Sequence, residues 1–183
     1  MADTANTVNA AHSSLVVRDA EEADKASIRS VLLEAYSQYE AALSDRWPAY
    51  MESILASVEE DGPKARIVAE WEGRIVGSAL LFDSSEAAYG LPELGIKGPI
   101  VRLLGVARDA RGRGVATAIL RECARRSREW GSDTLYLHTS DVMASAVKLY
   151  ERLGFERAPD KEFSNGHTWV KCYRLRLKES AFL

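Results

Sequence analysis

A turn rich in glycine and arginine is the segment of this chain whose residue types most clearly allow chemistry. Arg111-Gly112-Arg113-Gly114 follows an apolar run that ends in Leu104-Gly105-Val106, and an apolar helical pattern begins at Val115. A strand that passes through glycines directly into a helix leaves several backbone N–H groups unpaired at the positive end of the helix dipole. An anion can approach a glycine backbone closely, and Arg111 and Arg113 can add charge-assisted hydrogen bonds. The spacing therefore predicts a phosphate-binding turn.

Two nucleotide-binding motifs with similar glycines fit this turn less well. A Rossmann dinucleotide site requires a third glycine where Thr117 stands, and an acidic residue at the end of the next strand, where His138 stands. A Walker A loop requires a lysine that this turn lacks. A tight turn without any ligand is a further interpretation that the residues leave open.

The turn resembles the signature of a known family, and a second motif supports the likeness. Residues 111–116 fit the R/Q-x-x-G-x-G/A pattern of the GNAT superfamily of acyl-CoA-dependent N-acetyltransferases. Residues 146–155 are similar to the A-x-x-L-Y-x-x-x-G-F helix end of the same family. The resemblance covers about Leu15 to Leu177 and implies an enzyme that uses acetyl-CoA as its cosubstrate. No metal site is predicted.

The resemblance implies a binding site for the two ends of coenzyme A. The pantetheine arm of the cosubstrate would pair with the free backbone of Leu104, Gly105 and Val106. The pyrophosphate would lie on the N–H groups of Arg111, Gly112, Arg113, Gly114, Val115 and Ala116. Arg108 is an additional candidate contact to a phosphate of coenzyme A.

The resemblance also implies a general acid, whereas the general base is less clear. Tyr150 falls on the tyrosine that the family uses to protonate the departing thiolate. Ile100 stands where many members carry a glutamate base, and Met143 replaces a common asparagine. His138, at a family position that often carries an acid, is the candidate base, because imidazole titrates near neutral pH. The fallback bases are Asp83, Glu86 and Glu93.

The elements that must position these residues follow the order β-α-α-β-β-β-α-β-α-β-β. Asp45 is expected to cap the second helix, and Ser140 or Asp141 the last one. Residues 83–98 read as a polar loop, and Asn165-Gly166 as a hairpin turn. We expect one GNAT-like α/β domain over residues 15–183, preceded by a flexible tail over residues 1–14. Its sheet should be mixed and mostly antiparallel, with about seven strands and about four helices on both faces, and the resemblance implies that the strands splay at the centre.

Composition excludes several classes of protein. The 24 Lys and Arg residues against 27 Asp and Glu give a net charge of −3, unlike the strongly basic balance of a general nucleic-acid binder. The chain has no apolar stretch of about 18 residues, so we expect no membrane contact and a cytoplasmic location. Cys123 and Cys172 are expected to be buried, reduced thiols.

Arginines are concentrated in one part of this mildly acidic chain. We expect them to form a cationic strip at the phosphate end of the cleft, with its outer members solvated on the helix after the turn. The eight arginines of the strip are Arg102, Arg108, Arg111, Arg113, Arg121, Arg125, Arg126 and Arg128.

The resemblance implies an N-acetyltransferase that moves acetyl from acetyl-CoA to a primary amine of a small molecule or protein, by direct attack in a ternary complex. The alternatives are a non-catalytic CoA-binding or regulatory module, and nucleic-acid binding through the arginine-rich helix. Aromatic residues and acids in the variable segments would suit a cationic amine with an apolar body. The acceptor itself stays open, and because dimers are common in the family, so does a homodimer.

Overall fold

The computed structural model describes residues 14–183, so the predicted tail lies outside the described residues except for Ser14. Eight strands of this part of the chain form one sheet in the order β1-β2-β3-β4-β5-β8-β6, with β7 paired to β8 beside this path. The strands are β1 (Leu15–Asp19), β2 (Ala65–Trp71), β3 (Arg74–Phe82), β4 (Ile100–Val106), β5 (Thr134–Thr139), β6 (Glu156–Arg157), β7 (Phe163–Ser164) and β8 (Trp169–Arg176).

Helices cover both faces of the sheet. They are α1 (Lys25–Tyr36), α2 (Glu40–Leu43), α3 (Trp47–Glu59), α4 (Ser85–Tyr89), α5 (Val115–Glu129) and α6 (Ala144–Arg152). A Cβ atom on Gly105 of β4 would lie 3.1 Å from Leu32 of α1, whereas one on Gly77 of β3 would lie 2.9 Å from Val115 of α5. Gly77 pairs with Val106, and paired residues share a face of the sheet. Gly105 is next to Val106 along β4, so Gly105 and Gly77 lie on opposite faces. Thus α1 and α5 lie on opposite faces, and the predicted fold class is confirmed.

The sheet opens between its two central strands. All pairs are antiparallel except β4 with β5, which pair in parallel at Ile100 with Tyr136 and at Val101 with Leu137. Beyond these positions β4 advances by three residues, from Arg102 to Gly105, whereas the paired segment of β3 advances by only two. The extra residue makes a β-bulge, with Leu103 at φ 50°. A bulge bends its strand, so β4 turns away from β5 and leaves a gap.

Three local predictions were wrong. Residues 83–98 are not a simple loop: α4 begins where the Ser84 side chain accepts a hydrogen bond from the amide of Ala87, and ends at Gly90. Asp45 does not cap α3, because residues 44–46 form a 3-10 turn that runs directly into the helix. A 3-10 turn over residues 141–143 likewise precedes α6, without a side-chain cap from Ser140 or Asp141.

Close packing of α5 on β3 generates a prediction for stability. Because a Cβ at Gly77 would lie 2.9 Å from both Ile119 and Val115, Gly77→Ala forces the helix outward. We expect this change to lower the free energy of unfolding by about 1–3 kcal/mol in urea denaturation. The control is Gly62→Ala, whose added Cβ would make an ordinary 3.5 Å contact with Phe82. Equal stability of the two variants would contradict the packing argument.

Candidate functional site

A groove of about 400 Å³ lies along the end of β4, at residues 104–106, where β4 has no pairing with β5. Its walls come from the end of α1, from β4, from the turn before α5, and from α6. Most of the residues that the sequence analysis singled out meet here. Leu104, Gly105, Val106, Arg111, Gly112, Gly114, Val115, Ala116 and Tyr150 all line the groove.

The turn at one end of the groove presents a row of unpaired backbone amides. Gly112 and Gly114 adopt φ values of 73° and 81°, a left-handed conformation that glycine adopts without strain. The first helical hydrogen bond of α5 runs from the amide of Ala118 to the carbonyl of Gly114 at 2.9 Å. Within residues 14–183, the amides of residues 112–117 donate to no acceptor. The turn can therefore cradle an anion at the head of a 15-residue helix.

The arginine side chains of this turn are engaged within the protein. Arg111 donates to the carbonyl oxygens of Val106 and Ala35, each at 3.3 Å. Arg113 lies over the ring of Trp71 at 5.2 Å. The Arg108 guanidinium contacts Ser37 at 3.4 Å. The backbone of the turn, more than these side chains, is thus the part that is free to meet an anion.

The edge of β4 that faces the gap has no neighbouring strand beyond the two positions paired with β5 in the described chain. The Tyr36 hydroxyl donates to the carbonyl of Leu104 at 3.3 Å, and Arg111 donates to that of Val106. Gly105 has no side chain because α1 approaches too closely: a Cβ there would lie 3.3 Å from the Cβ of Ala35. This edge offers backbone groups to an extended ligand arm.

Tyr150 projects from α6 into the groove and is only 8% exposed. Its ring packs against Phe155 and Tyr173, with centroids 5.9 Å and 6.5 Å away. Burial raises the pKa of Tyr150 above its ordinary value, because the phenolate would be poorly solvated. The group therefore stays a neutral O–H donor.

His138 is held in one tautomer by two hydrogen bonds. A carbonyl oxygen only accepts, so Nε2 donates to the oxygen of Lys161 at 3.0 Å. Nδ1 consequently carries a lone pair and accepts from the Tyr89 hydroxyl at 3.0 Å. Burial lowers the pKa of His138; the Lys161 carbonyl opposes this shift and the charge of Arg102 adds to it. The imidazole is therefore neutral near pH 7.

The groove itself contains no acidic side chain and no histidine among its lining residues in the described chain. The three fallback bases, Asp83, Glu86 and Glu93, are all exposed. Ile100 is fully buried where the sheet is still closed, whereas Met143 lines the groove. His138 lies on β5, outside the set of groove-lining residues.

Neither cysteine has the environment of a nucleophile. Cys123 and Cys172 are both free and fully buried, as predicted. Burial raises the pKa of each thiol to about 12. Since the thiolate is the reactive form, both side chains are inert near neutral pH.

The cationic strip is partly neutralised on α5. Arg125 and Arg126 pair with Glu122, and Arg126 also pairs with Asp19 of β1. Arg125 is exposed, as expected for an outer arginine, whereas the expectation of a solvated side chain was wrong for Arg126, which is mostly buried between its two acidic partners.

Sequence reasoning missed the surroundings of Arg102. Its guanidinium lies over the ring of Tyr89 at 4.8 Å and over that of Phe82 at 5.6 Å. Tyr89 in turn contacts His138 and Phe163, with centroid distances of 5.0 Å and 5.4 Å. The residues of this cluster are far apart along the chain, so no local pattern could have revealed it.

Two curated relatives share part of this sequence. N-acetyltransferase 8B of Homo sapiens is 30% identical over 70% of this chain and 57% of its own length. N-acetyltransferase family 8 member 2 of Rattus norvegicus is 30% identical over 63% of this chain and 46% of its own length. The chain thus spans about half the length of these relatives. No helix in residues 14–183 has the length and apolar character required to cross a membrane.

Solved structures share the fold at low identity. An acetyltransferase of the GNAT family from Staphylococcus aureus Mu50 superposes with a TM-score of 0.65 at 16% identity, covering 90% of this chain and 99% of that one. The ribosomal-protein-S18-alanine N-acetyltransferase of Escherichia coli gives 0.63 at 17% identity, covering 90% and 94%. The profile of the acetyltransferase (GNAT) family matches residues 27–155, from α1 to the end of the α6 motif. With the splayed sheet and its groove, this match identifies the chain as a member of the GNAT acetyltransferase family.

Proposed function

We propose that this protein is an N-acetyltransferase that transfers acetyl from acetyl-CoA to a primary amine by direct attack in a ternary complex. One observation carries the proposal: a single groove joins the free amides of residues 112–117, the open edge of β4 and the buried hydroxyl of Tyr150. These are, in order, groups suited to a pyrophosphate, an extended amide-bearing arm and a leaving thiolate.

The residues present fit acetyl-CoA. The amides of residues 112–117 would hold the pyrophosphate, and Leu104, Gly105 and Val106 would pair with the pantetheine arm. When bound, acetyl-CoA supplies an acetyl group activated as a thioester. The positive end of α5 adds a favourable contribution of only about 0.3–1 kcal/mol, so the row of amides must provide most of the grip on the phosphates.

Tyr150 is the proposed general acid. Its hydroxyl donates a proton to the sulfur as the carbon–sulfur bond breaks, which removes the need to expel a free thiolate. Burial keeps the phenol protonated until that moment. No covalent acyl-enzyme is required, since both cysteines are buried and protonated.

His138 is the proposed general base. The Tyr89 hydroxyl gives its proton to Nδ1 and takes in its place the proton that the attacking amine must lose. The Lys161 carbonyl, which accepts from Nε2, stabilises the imidazolium that results. Once protonated, Nδ1 donates to the Tyr89 oxygen instead of accepting from it. Because the imidazole is neutral near pH 7, it is in the correct state to begin the reaction.

A non-catalytic CoA-binding module is the second candidate. It is favoured by the absence of acidic and histidine side chains among the groove-lining residues in the described chain, and by Ile100 at the position of the usual glutamate. This candidate predicts tight binding of CoA without release of thiol for any amine.

Replacement of Tyr150 by phenylalanine tests the proposed acid. Tyr150→Phe removes the proton donor but keeps the ring, so we expect kcat to fall by about 10²-fold or more in a thiol-release assay with acetyl-CoA and an amine acceptor. The control is Tyr173→Phe, which removes the hydroxyl of the neighbouring ring and should preserve kcat. Full activity of Tyr150→Phe would refute the assignment.

Replacement of His138 by glutamine tests the proposed base through pH. The amide side chain of the His138→Gln variant cannot accept a proton at any pH. In the wild type, His138 can act as a base only when it is neutral, and its pKa lies below the ordinary value of 6.5. The ratio of wild-type to His138→Gln kcat/KM cancels the ionisation of the amine. We expect this ratio to be constant at about 10² or more above neutral pH, and to fall as pH drops below about 6.5.

The matched control for this experiment is His167→Gln, which alters an exposed imidazole in the β7–β8 turn. Its ratio to wild type should be near one at every pH. A ratio for His138→Gln that does not change with pH would exclude His138 as the base.

A further inference from the structure

Arg102 lies on β4 two residues before Leu104, the first residue of β4 that lines the groove. It is the first residue of β4 beyond the two that pair with β5. Arg102 is opposite Leu80 in β3, and Ile100 is opposite Tyr136 in β5. Since residues two apart along a strand share a face, Arg102 and His138 lie on the same face of the sheet.

The guanidinium of Arg102 is held by neutral groups only. It lies over the rings of Tyr89 and Phe82 and donates one hydrogen bond to the carbonyl oxygen of Ala88. No carboxylate of residues 14–183 lies within ion-pair distance of it. This contrasts with Arg125 and Arg126 on α5, which are both paired with acids.

The charge of Arg102 acts on the groups around the proposed chemistry. It opposes the effect of burial on the pKa values of Tyr36 and Tyr50, and also of Tyr89. These tyrosines come from three different helices, α1, α3 and α4. Arg102 is therefore within electrostatic range of side chains from three helices.

A partly buried cation without an anionic partner leaves its electrostatic potential available to a ligand. A guanidinium has five N–H donors in a planar fork that matches a carboxylate, and Arg102 uses one of its nitrogens for the Ala88 carbonyl. The two aromatic faces restrict the plane of the fork. The arrangement is thus organised to receive an anion before one arrives.

We propose that Arg102 binds a carboxylate of the acceptor, so that the acceptor is an amino carboxylic acid of low molecular mass rather than a simple amine or a polyamine. This inference rests on the proposed function, because it places the acceptor next to His138 at the end of the cosubstrate groove. It replaces the expectation of a purely cationic acceptor, which the charge of Arg102 would repel.

Matched pairs of acceptors test the inference on the wild-type protein. L-Phenylalanine is compared with phenethylamine and with L-phenylalanine methyl ester, and L-lysine is compared with cadaverine. Each compound is assayed by thiol release from acetyl-CoA. We expect kcat/KM to be roughly 10- to 100-fold higher for the amino acid than for its partner without a free carboxylate, the range that a hydrogen bond to a charged group provides. Equal rates, or faster acetylation of the plain amines, would overturn the inference and leave the proposed function intact.

Variants of Arg102 then assign the preference to this residue. Arg102→Met should lower kcat/KM for the amino acid by the same factor but should not lower it for the plain amine, because the charge that repels an ammonium group is removed. Arg102→Lys, which keeps the charge but not the fork, should fall between wild type and Arg102→Met for the amino acid. The control is Arg128→Met, which removes an exposed arginine at the far end of α5. Thermal unfolding verifies that α4 survives the loss of the bond to Ala88.

Three outcomes are distinguishable. A preference for carboxylates that disappears in Arg102→Met supports the inference, and one that persists there overturns it. If none of the five compounds is acetylated, the inference is overturned, whereas the proposed function fails only if CoA binds tightly and no amine, including those of peptides, releases thiol.

Discussion

The divergence of β4 from β5 is the feature on which the rest of the structure depends. A single extra residue in β4, with Leu103 in a left-handed conformation, bends the strand after two paired positions. Left-handed backbone is costly for a leucine, so the packing on both faces must impose it. The bend exposes the backbone edge of Leu104–Val106 and makes room for Tyr150. It also places Arg102 at the point of separation, where it pairs with β3 but not with β5.

Recognition of the two proposed substrates uses different parts of the protein. The phosphate end relies on backbone amides in a conformation that two glycines allow, and its arginine side chains are occupied with carbonyls and an aromatic ring. The acceptor end relies on side chains, namely Arg102, Tyr89 and His138. A site built from backbone amides needs only the local turn that exposes them. A site built from side chains depends on the identity of residues that are distant along the chain. This difference explains why the first could be recognised in the sequence and the second could not.

Prediction from the sequence succeeded where structure is determined locally. The spacing of Ile28, Val31 and Leu32 revealed α1, and alternating apolar residues revealed the β2–β3 hairpin. It failed where distant contacts decide. The short α4 has only one turn and is stabilised by the Ser84 cap, and the tautomer of His138 depends on Lys161, 23 residues away, and on Tyr89, 49 residues away. No periodicity encodes such contacts.

The charge states of the site constrain the proton transfers in the proposed mechanism. Burial keeps both Tyr150 and His138 neutral, so neither of them favours an ammonium group over a free amine. The positive charge of Arg102 disfavours an ammonium nearby, because like charges lower the pKa of the cation. An acceptor that brings a carboxylate neutralises Arg102 and can still bind as the free amine. The guanidinium of Arg102 would thus favour acceptors that carry a carboxylate. It would also disfavour the binding of a cationic amine that has no carboxylate.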